Sequence, residues 1–276
     1  VADVEEIRKG RWHHFKGNDY EVLHTARHSE TLEPMVVYRA LYGEGGVWIR
    51  PAAMWQEPVT HNGAEVPRFT YAGDMDISLR PEEPYDYSEI ENLTRDAFWN
   101  LFKPGCDEHY LLHVMRGDPS FIHELDYVAV KDGCLVGNIV YAKSSVVDKQ
   151  GCRHEVITFG PVSVLPEYQK SGVGARLIFH TLELARRLGY GAVIILGHPD
   201  YYPKFGFRRA REFDLATKDG QTFDPFMALE LIPGSLSGLG GGVFYDSDVY
   251  TVNQEEAAAF DKAFPYKEKK VTDTRL

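Results

Sequence analysis

The stretch QKSGVGARL, residues 169–177, follows an apolar run, leads into a helical pattern and places Gly172 and Gly174 one residue apart. The chemistry such a stretch can do is anion binding. The first N–H groups of a helix lack partners inside it, and the helix dipole adds positive potential there. With no side chain at Gly172 or Gly174, a phosphate can approach the amides of Lys170, Ser171, Gly172, Val173, Gly174 and Ala175. On its own the glycine pair serves an ordinary turn into a helix equally well. Neither standard nucleotide motif is present. A Walker loop needs Lys-Ser/Thr where Ala175-Arg176 stand, and a dinucleotide fingerprint needs a third glycine where Leu177 sits. The cluster GSLSGLGGG (234–242) also misses, with Val243 at the third glycine position.

The elements that must position this loop come after a change of period. Before Phe69 the chain is strand-like: DYEVLHT (19–25), then MVVYRALY (35–42) with a period of two, a GEGG turn and VWIRP (47–51). Short strands over about 70 residues must hide their edges, which predicts a small barrel over residues 1–72. The segment 60–76 reads as the end of that domain and a linker into a second domain, 73–276. There the pattern predicts a strand at 76–80 and a helix over 87–102 with Ile90, Leu93, Ala97, Phe98 and Leu101 on one face. A second helix follows at about 107–116, then a hairpin of 127–130 and 135–142 turning at Asp132-Gly133. The strand 154–164, interrupted at Gly160-Pro161, enters the loop. In the helix that leaves it, Val173, Leu177, Ile178, Leu182, Ala185 and Leu188 mark the buried face, with Gly189 as the stop. AVIIL (192–196) is apolar throughout, as a strand buried in a parallel pair should be, so the unit is a right-handed crossover. Strands at 226–231 and 243–252 and a tail helix starting at Asn253, with Glu256 completing a capping box, end the pattern.

The form Gln/Arg-x-x-Gly-x-Gly/Ala (Gln169, Gly172, Gly174), entered from an apolar strand and followed by a strand leading to YYPKFGF (201–207), resembles the GNAT superfamily of N-acetyltransferases over about residues 76–252. The resemblance implies an α/β (α+β) fold with a mixed central sheet flanked by helices, and acetyl-CoA as co-substrate with no metal. It implies that the loop amides hold the coenzyme's pyrophosphate, that Val162, Ser163 and Val164 offer main-chain groups to pantetheine, and that the Tyr-x-x-x-Gly-Phe element sits near the leaving sulfur. Tyr202 matches the acid position there, with Tyr201 and Phe205 beside it. Acetyl transfer needs a neutral amine, and a lysine-like ammonium titrates at about 10, so a base must take a proton. Many members of the family carry a glutamate on the strand before the loop; Thr158 stands there instead, with His154 on the same strand face. The family's frequent asparagine before the tyrosine is missing too, and His198 is the nearest polar substitute. In the family the first helices shape the acceptor pocket, which points to Glu108, His109 and Arg116.

Residues 8–69 resemble a small uncharacterised bacterial domain with an SH3-like barrel, a likeness that implies architecture and no activity. Trp12, Tyr20, Trp48 and Trp55 are either its core or a recognition surface. Substrate selection, a homodimer contact and binding of a separate partner are all open roles. Cys106, His109 and His113 have a spacing metals can use, yet no second cluster completes four ligands, and no metal is expected. At 276 residues, 43% hydrophobic and 26% charged, the chain can bury a real core. Its net charge of −11 argues against nucleic-acid and anionic-membrane partners. Three widely spaced cysteines, no apolar run near the roughly 20 residues of a membrane span, and no signal-peptide core in residues 1–12 lead to a cytoplasmic expectation. The expected activity is acetyl transfer from acetyl-CoA to a primary amine, on a small molecule or a protein, by direct attack. The competing expectations are a non-catalytic coenzyme A sensor whose barrel contacts a partner, and a scaffold that binds no coenzyme.

Overall fold

The computed structural model describes residues 7–271. The small domain consists of β1 (Gly10–His14), β2 (Asp19–Arg27), β3 (Pro34–Ala40), β4 (Val47–Pro51), the short helix α1 (Ala52–Gln56), β5 (Pro58–His61), β6 (Ala64–Pro67) and β7 (Phe69–Tyr71). Its main sheet is antiparallel in the order β4-β3-β2-β1-β7, and β5 and β6 form a separate ribbon. Alternation sets the faces: Val36, Tyr38 and Ala40 are buried and Arg39 is exposed. Trp55, delivered by α1, stacks on Phe69 with ring centroids 3.7 Å apart, and Trp12 meets it edge-on at 5.7 Å. Trp12, Tyr20 and Trp55 therefore belong to the core, whereas Trp48 is exposed. Among the described residues the expected barrel takes the form of an antiparallel ladder that ends at β4 and β7 without closing. The stretch read as domain end and linker carries β6 and β7 and turns at Asn62-Gly63, both with positive φ, leaving residues 72–77 as the connection.

The second domain contains β8 (Ser78–Pro81), α2 (Tyr87–Phe98), α3 (Glu108–Met115), β9 (Tyr127–Lys131), β10 (Cys134–Asp148), β11 (Arg153–Val164), α4 (Val173–Arg187), β12 (Ala192–Leu196), β13 (Arg208–Arg209), β14 (Leu215–Thr217), β15 (Phe226–Glu230), β16 (Gly242–Tyr245) and α5 (Gln254–Asp261). The sheet runs β13-β15-β12-β11-β10-β16-β14, with β9 joining β10 and β8 joining β9. It is mixed: β11 and β12 are parallel, as are β14 and β16, and the other pairs are antiparallel.

The long strand β10 shows how the layers are built. Ile139 and Tyr141 point to one face, where Val173, Leu177, Ile178, Leu182 and Ala185 of α4 cover them. Val140 and Ala142 point to the other, against Ile90 and Leu93 of α2 and Leu112 and Met115 of α3. One strand thus supplies both cores through its period of two. Several element ends differ from the sequence expectation. Helix α2 stops at Phe98 rather than 102, because Trp99 turns extended and Asn100 adopts a left-handed φ of 59°. Leu188 lies past the end of α4 and is exposed. In 243–252 only the first residues are strand; Asp248–Tyr250 form a 3-10 turn. Asn253 caps α5 by accepting from the N–H groups of Glu255 and Glu256, but the Glu256 carboxylate accepts from Tyr110 Oη instead of closing a capping box.

Candidate active site

Strands β11 and β12 are neighbours at Ile157 and Val193, and then part. β11 continues to Val164 still paired to β10, while β12 ends at Leu196. The end of β11 therefore has one bonded edge and one open edge. Leu165 N–H donates to the Val136 carbonyl at 3.1 Å. By alternation along the strand, Ser163 also faces β10, and the main chain of Val162 and Val164 faces the opening. This corrects the expectation for Ser163, whose hydroxyl is buried against Thr94 Oγ1 at 2.9 Å. Gln169 Nε2 donates to the Val164 carbonyl at 3.3 Å, tying the loop to that open edge.

The opening is a cleft of about 580 Å³ whose walls include Val162, Val164, Gln169, Lys170, Gly172, Gly174, Ala175, Tyr201 and Tyr202. Gly172, Gly174 and Ala175, at the start of α4, sit in this wall, where the first N–H groups of a helix lack partners inside it and an anion cradle could be built. The two glycines play different parts. A Cβ on Gly174 would lie 3.3 Å from Tyr201 Oη and 3.6 Å from Val164 Cγ2, inside the cleft. A Cβ on Gly172 would lie 2.3 Å from Gly73 N, and its φ is +91°. Gly172 is thus required by a backbone-to-backbone contact with the interdomain connection, which nothing in the local pattern signals. Val173 is buried in the α4 core and offers only its main chain, and Ser171 turns its hydroxyl to the Tyr168 carbonyl at 2.5 Å.

Tyr201 and Tyr202 open the 3-10 turn over Tyr202–Phe205, which Gly206 ends with a φ of 93°. Phe205 is buried against Phe179 and Tyr201, so it supports the tyrosines from behind rather than lining the cleft. Burial pushes the Tyr201 phenol up to about 12 and holds Tyr202 higher still. The Tyr202 ring lies where a Cβ on Gly197 would be 2.2 Å from its Cε2, so Gly197 is the vacancy that admits it. Lys204 also lines the cleft, its Nζ 3.6 Å from the Tyr201 ring centroid. Desolvation lowers its pKa to about 8. Its surroundings suit a phosphate, which would restore the charge that burial penalises.

The proposed bases are not brought together. His154 sits near the far end of the β10–β11 hairpin, where its Nε2 is 2.7 Å from Asp148 Oδ2, and it does not line the cleft. Thr158 is buried, and its Oγ1 is 3.0 Å from Ser144 Oγ, which donates at 3.0 Å to Asp246 Oδ1. Asp246 is exposed as a residue, but burial of its carboxyl end raises it above the usual carboxylate range, against the opposing pull of the hydrogen bonds from Ser144, the Ser247 N–H and Thr158. Tyr250 Oη donates to the Gly160 carbonyl at 3.2 Å and walls the same cluster. Neither Asp246 nor Tyr250 is signalled by the sequence, because each reaches Thr158 from a distant segment.

Glu108, His109 and Arg116 are likewise absent from the cleft wall. Glu108 accepts from the Asp107 N–H at 3.1 Å, at the start of its own helix. His109 is fully buried 3.2 Å from Asp261 Oδ1, and burial lowers it to about 4; it anchors the tail helix. Arg116 is buried between Glu82 and Glu91. Such groups are placed by internal charge pairing, which spacing alone cannot distinguish from an acceptor pocket. Cys106 Sγ is 3.5 Å from His109 Nδ1, but His113 turns to Glu91; among the described residues no three or more metal-binding side chains converge.

Residues 87–207 match the model of the acetyltransferase (GNAT) family, and residues 10–71 match a family of unknown function, DUF1653. The Escherichia coli K12 protein YhbS, described as an uncharacterized N-acetyltransferase, is 32% identical over 168 residues, which are 60% of this chain and 95% of that protein. The crystal structure of Escherichia coli YhbS in complex with CoA shares the fold with a TM-score of 0.56 and 27% identity, covering 64% of this chain and 93% of that one. A GNAT acetyltransferase from Brucella melitensis in complex with acetyl-CoA gives 0.50 and 26%, covering 63% and 97%. No helix among the described residues is long and apolar enough to cross a membrane. Since it spans nearly the whole of a relative with about a third of its residues identical, and folds as that relative does, the chain belongs to the GNAT family of N-acetyltransferases.

Proposed function

We propose that the chain binds acetyl-CoA in the cleft between β11 and β12 and transfers the acetyl group to a primary amine by direct attack. The observation that carries this reading is the convergence of the open β11 edge, the α4 first turn and Tyr202 on one space. The pyrophosphate lies on the amides of residues 170–175, with Lys204 as counter-charge. The pantetheine arm runs along the main chain of Val162 and Val164, and the thioester meets Tyr202. The amine nitrogen attacks the thioester carbon, the C–N bond forms, the C–S bond breaks, and the sulfur leaves as a thiolate. A free thiol titrates near 8.5, and Tyr202 is held above 10, so full proton transfer from Tyr202 is uphill. Its role is to donate a hydrogen bond that stabilises the developing thiolate. The amine's proton passes through Thr158 and Ser144 to Asp246; these three lie outside the coenzyme cleft wall, and the amine reaches them from the separate pocket that Ser144 and Asp246 line.

Calorimetric titration of the full chain with acetyl-CoA tests the binding step: saturable heat at one coenzyme per chain is expected, and no heat sinks the reading. The base assignment makes a pH prediction. Asp246 works only when ionised, and its pKa is raised, so the rate should fall as pH drops through a value above the ordinary carboxylate range. Asp246→Asn should lower the rate by about 100-fold and remove that acid limb. An unchanged profile in the variant would assign the base elsewhere.

A further inference from the structure

The cleft wall is not built by the second domain alone. Thr70 and Tyr71 of β7, in the small domain, face the same space as Lys170 and Gly172. The contact is tight: Gly73 and Gly172 meet backbone to backbone, and Arg176 Nη1 donates to the Asp74 carbonyl at 2.9 Å. Arg8 Nη1 donates to the Lys170 carbonyl at 3.3 Å, and its guanidinium lies 5.9 Å over the Tyr71 ring. The Tyr71 ring is fixed, with its hydroxyl donating to Asp74 Oδ1 at 2.7 Å and Trp12 edge-on at 5.4 Å. Among the described residues, neither Arg8 nor Lys170 has a carboxylate within ion-pair distance. A held aromatic ring beside two exposed cations, of which Arg8 feels the Asp74 carboxylate only beyond ion-pair distance, suits a nucleotide base with its phosphate.

We infer that the small domain forms the nucleotide end of the coenzyme site, with Tyr71 against the adenine and Arg8 and Lys170 on the 3′-phosphate. The inference rests on the coenzyme reading above. It follows from the direction of the cleft: the tyrosine pair takes the thioester at one end and the α4 amides take the pyrophosphate. The adenosine must then continue past Lys170, where the small domain stands. The domain would thereby act as part of the transferase site rather than as a separate module.

The test compares CoA with 4′-phosphopantetheine, which keeps a phosphate for the loop and lacks the adenosine end. Affinities of the full chain are measured by calorimetry for wild type, Arg8→Ala and Tyr71→Leu, with thermal midpoints as a check on folding. Arg8→Ala should weaken CoA by about 10-fold, the worth of one charge-assisted phosphate contact, and change 4′-phosphopantetheine by less than about twofold. Tyr71→Leu should show the same selectivity. Equal loss for both ligands would mean that the small domain only shapes the loop, and no loss for either would remove it from the site; each result overturns the inference while leaving the coenzyme reading intact. A wild-type chain that binds neither ligand overturns the coenzyme reading, and the inference with it.

Discussion

Replacing Gly174 with glutamine is expected to weaken acetyl-CoA binding by at least about 100-fold while leaving the thermal midpoint nearly unchanged. The new Cβ enters the cleft 3.3 Å from Tyr201 Oη, and the rest of the side chain fills the space before the α4 amides. A 100-fold loss is about 2.7 kcal/mol, the worth of roughly two hydrogen bonds to a charged group. Gly174 has no positive φ, so the backbone accepts a side chain, and within a helix glutamine is preferred to glycine by a few tenths of a kcal/mol or more. Binding is read by calorimetry and folding by thermal denaturation. Undiminished affinity in the variant would place the coenzyme somewhere else.

Gly172→Ala should do the reverse and act mainly on stability. At a φ of +91° any Cβ is strained, at a cost of about 1–2 kcal/mol. The 2.3 Å approach to Gly73 N adds an overlap with backbone that cannot rotate away, and overpacking of that kind costs about 1–3 kcal/mol. A loss of about 2–5 kcal/mol in urea denaturation is therefore expected. Because the clash lies on the contact between domains, reduced coenzyme affinity should accompany it. A change below about 1 kcal/mol would show that the two backbones do not meet as described.

Much of this site was legible because its parts are local. The loop glycines, the tyrosine element and the apolar strand before the loop are each set within a few residues, and periods of two and 3.6 place them on elements correctly. What failed depended on partners far along the chain. His154 shares a strand face with Thr158, yet Asp148 holds it at the other end of the hairpin. Glu108, His109 and Arg116 have the residue types of a pocket but are consumed by the Asp107 N–H, Asp261, Glu82 and Glu91. Asp246 and Tyr250 converge on Thr158 from about 90 residues away, and Gly172 answers to Gly73 in the connection between the domains. Even the strand-edge rule misled at Ser163, since only alternate residues of an edge face outward. The division at residue 72 also understates the small domain, whose Thr70 and Tyr71 share the cleft wall.

Acetyl transfer is tested by incubating the chain with acetyl-CoA and a panel of primary amines, with acetylated amine and free CoA quantified together by mass spectrometry. Thiol-reactive dyes are unsuitable, because Cys134 and Cys152 are exposed. One acetylated amine is expected for each CoA released, and a loss of about 100-fold or more in kcat for Tyr202→Phe at unchanged acetyl-CoA affinity, since only the hydrogen bond to the departing sulfur is removed. Tight acetyl-CoA binding without transfer to any amine, or a Tyr202→Phe variant as fast as wild type, would contradict the proposed transfer; the first result would make the chain a coenzyme sensor.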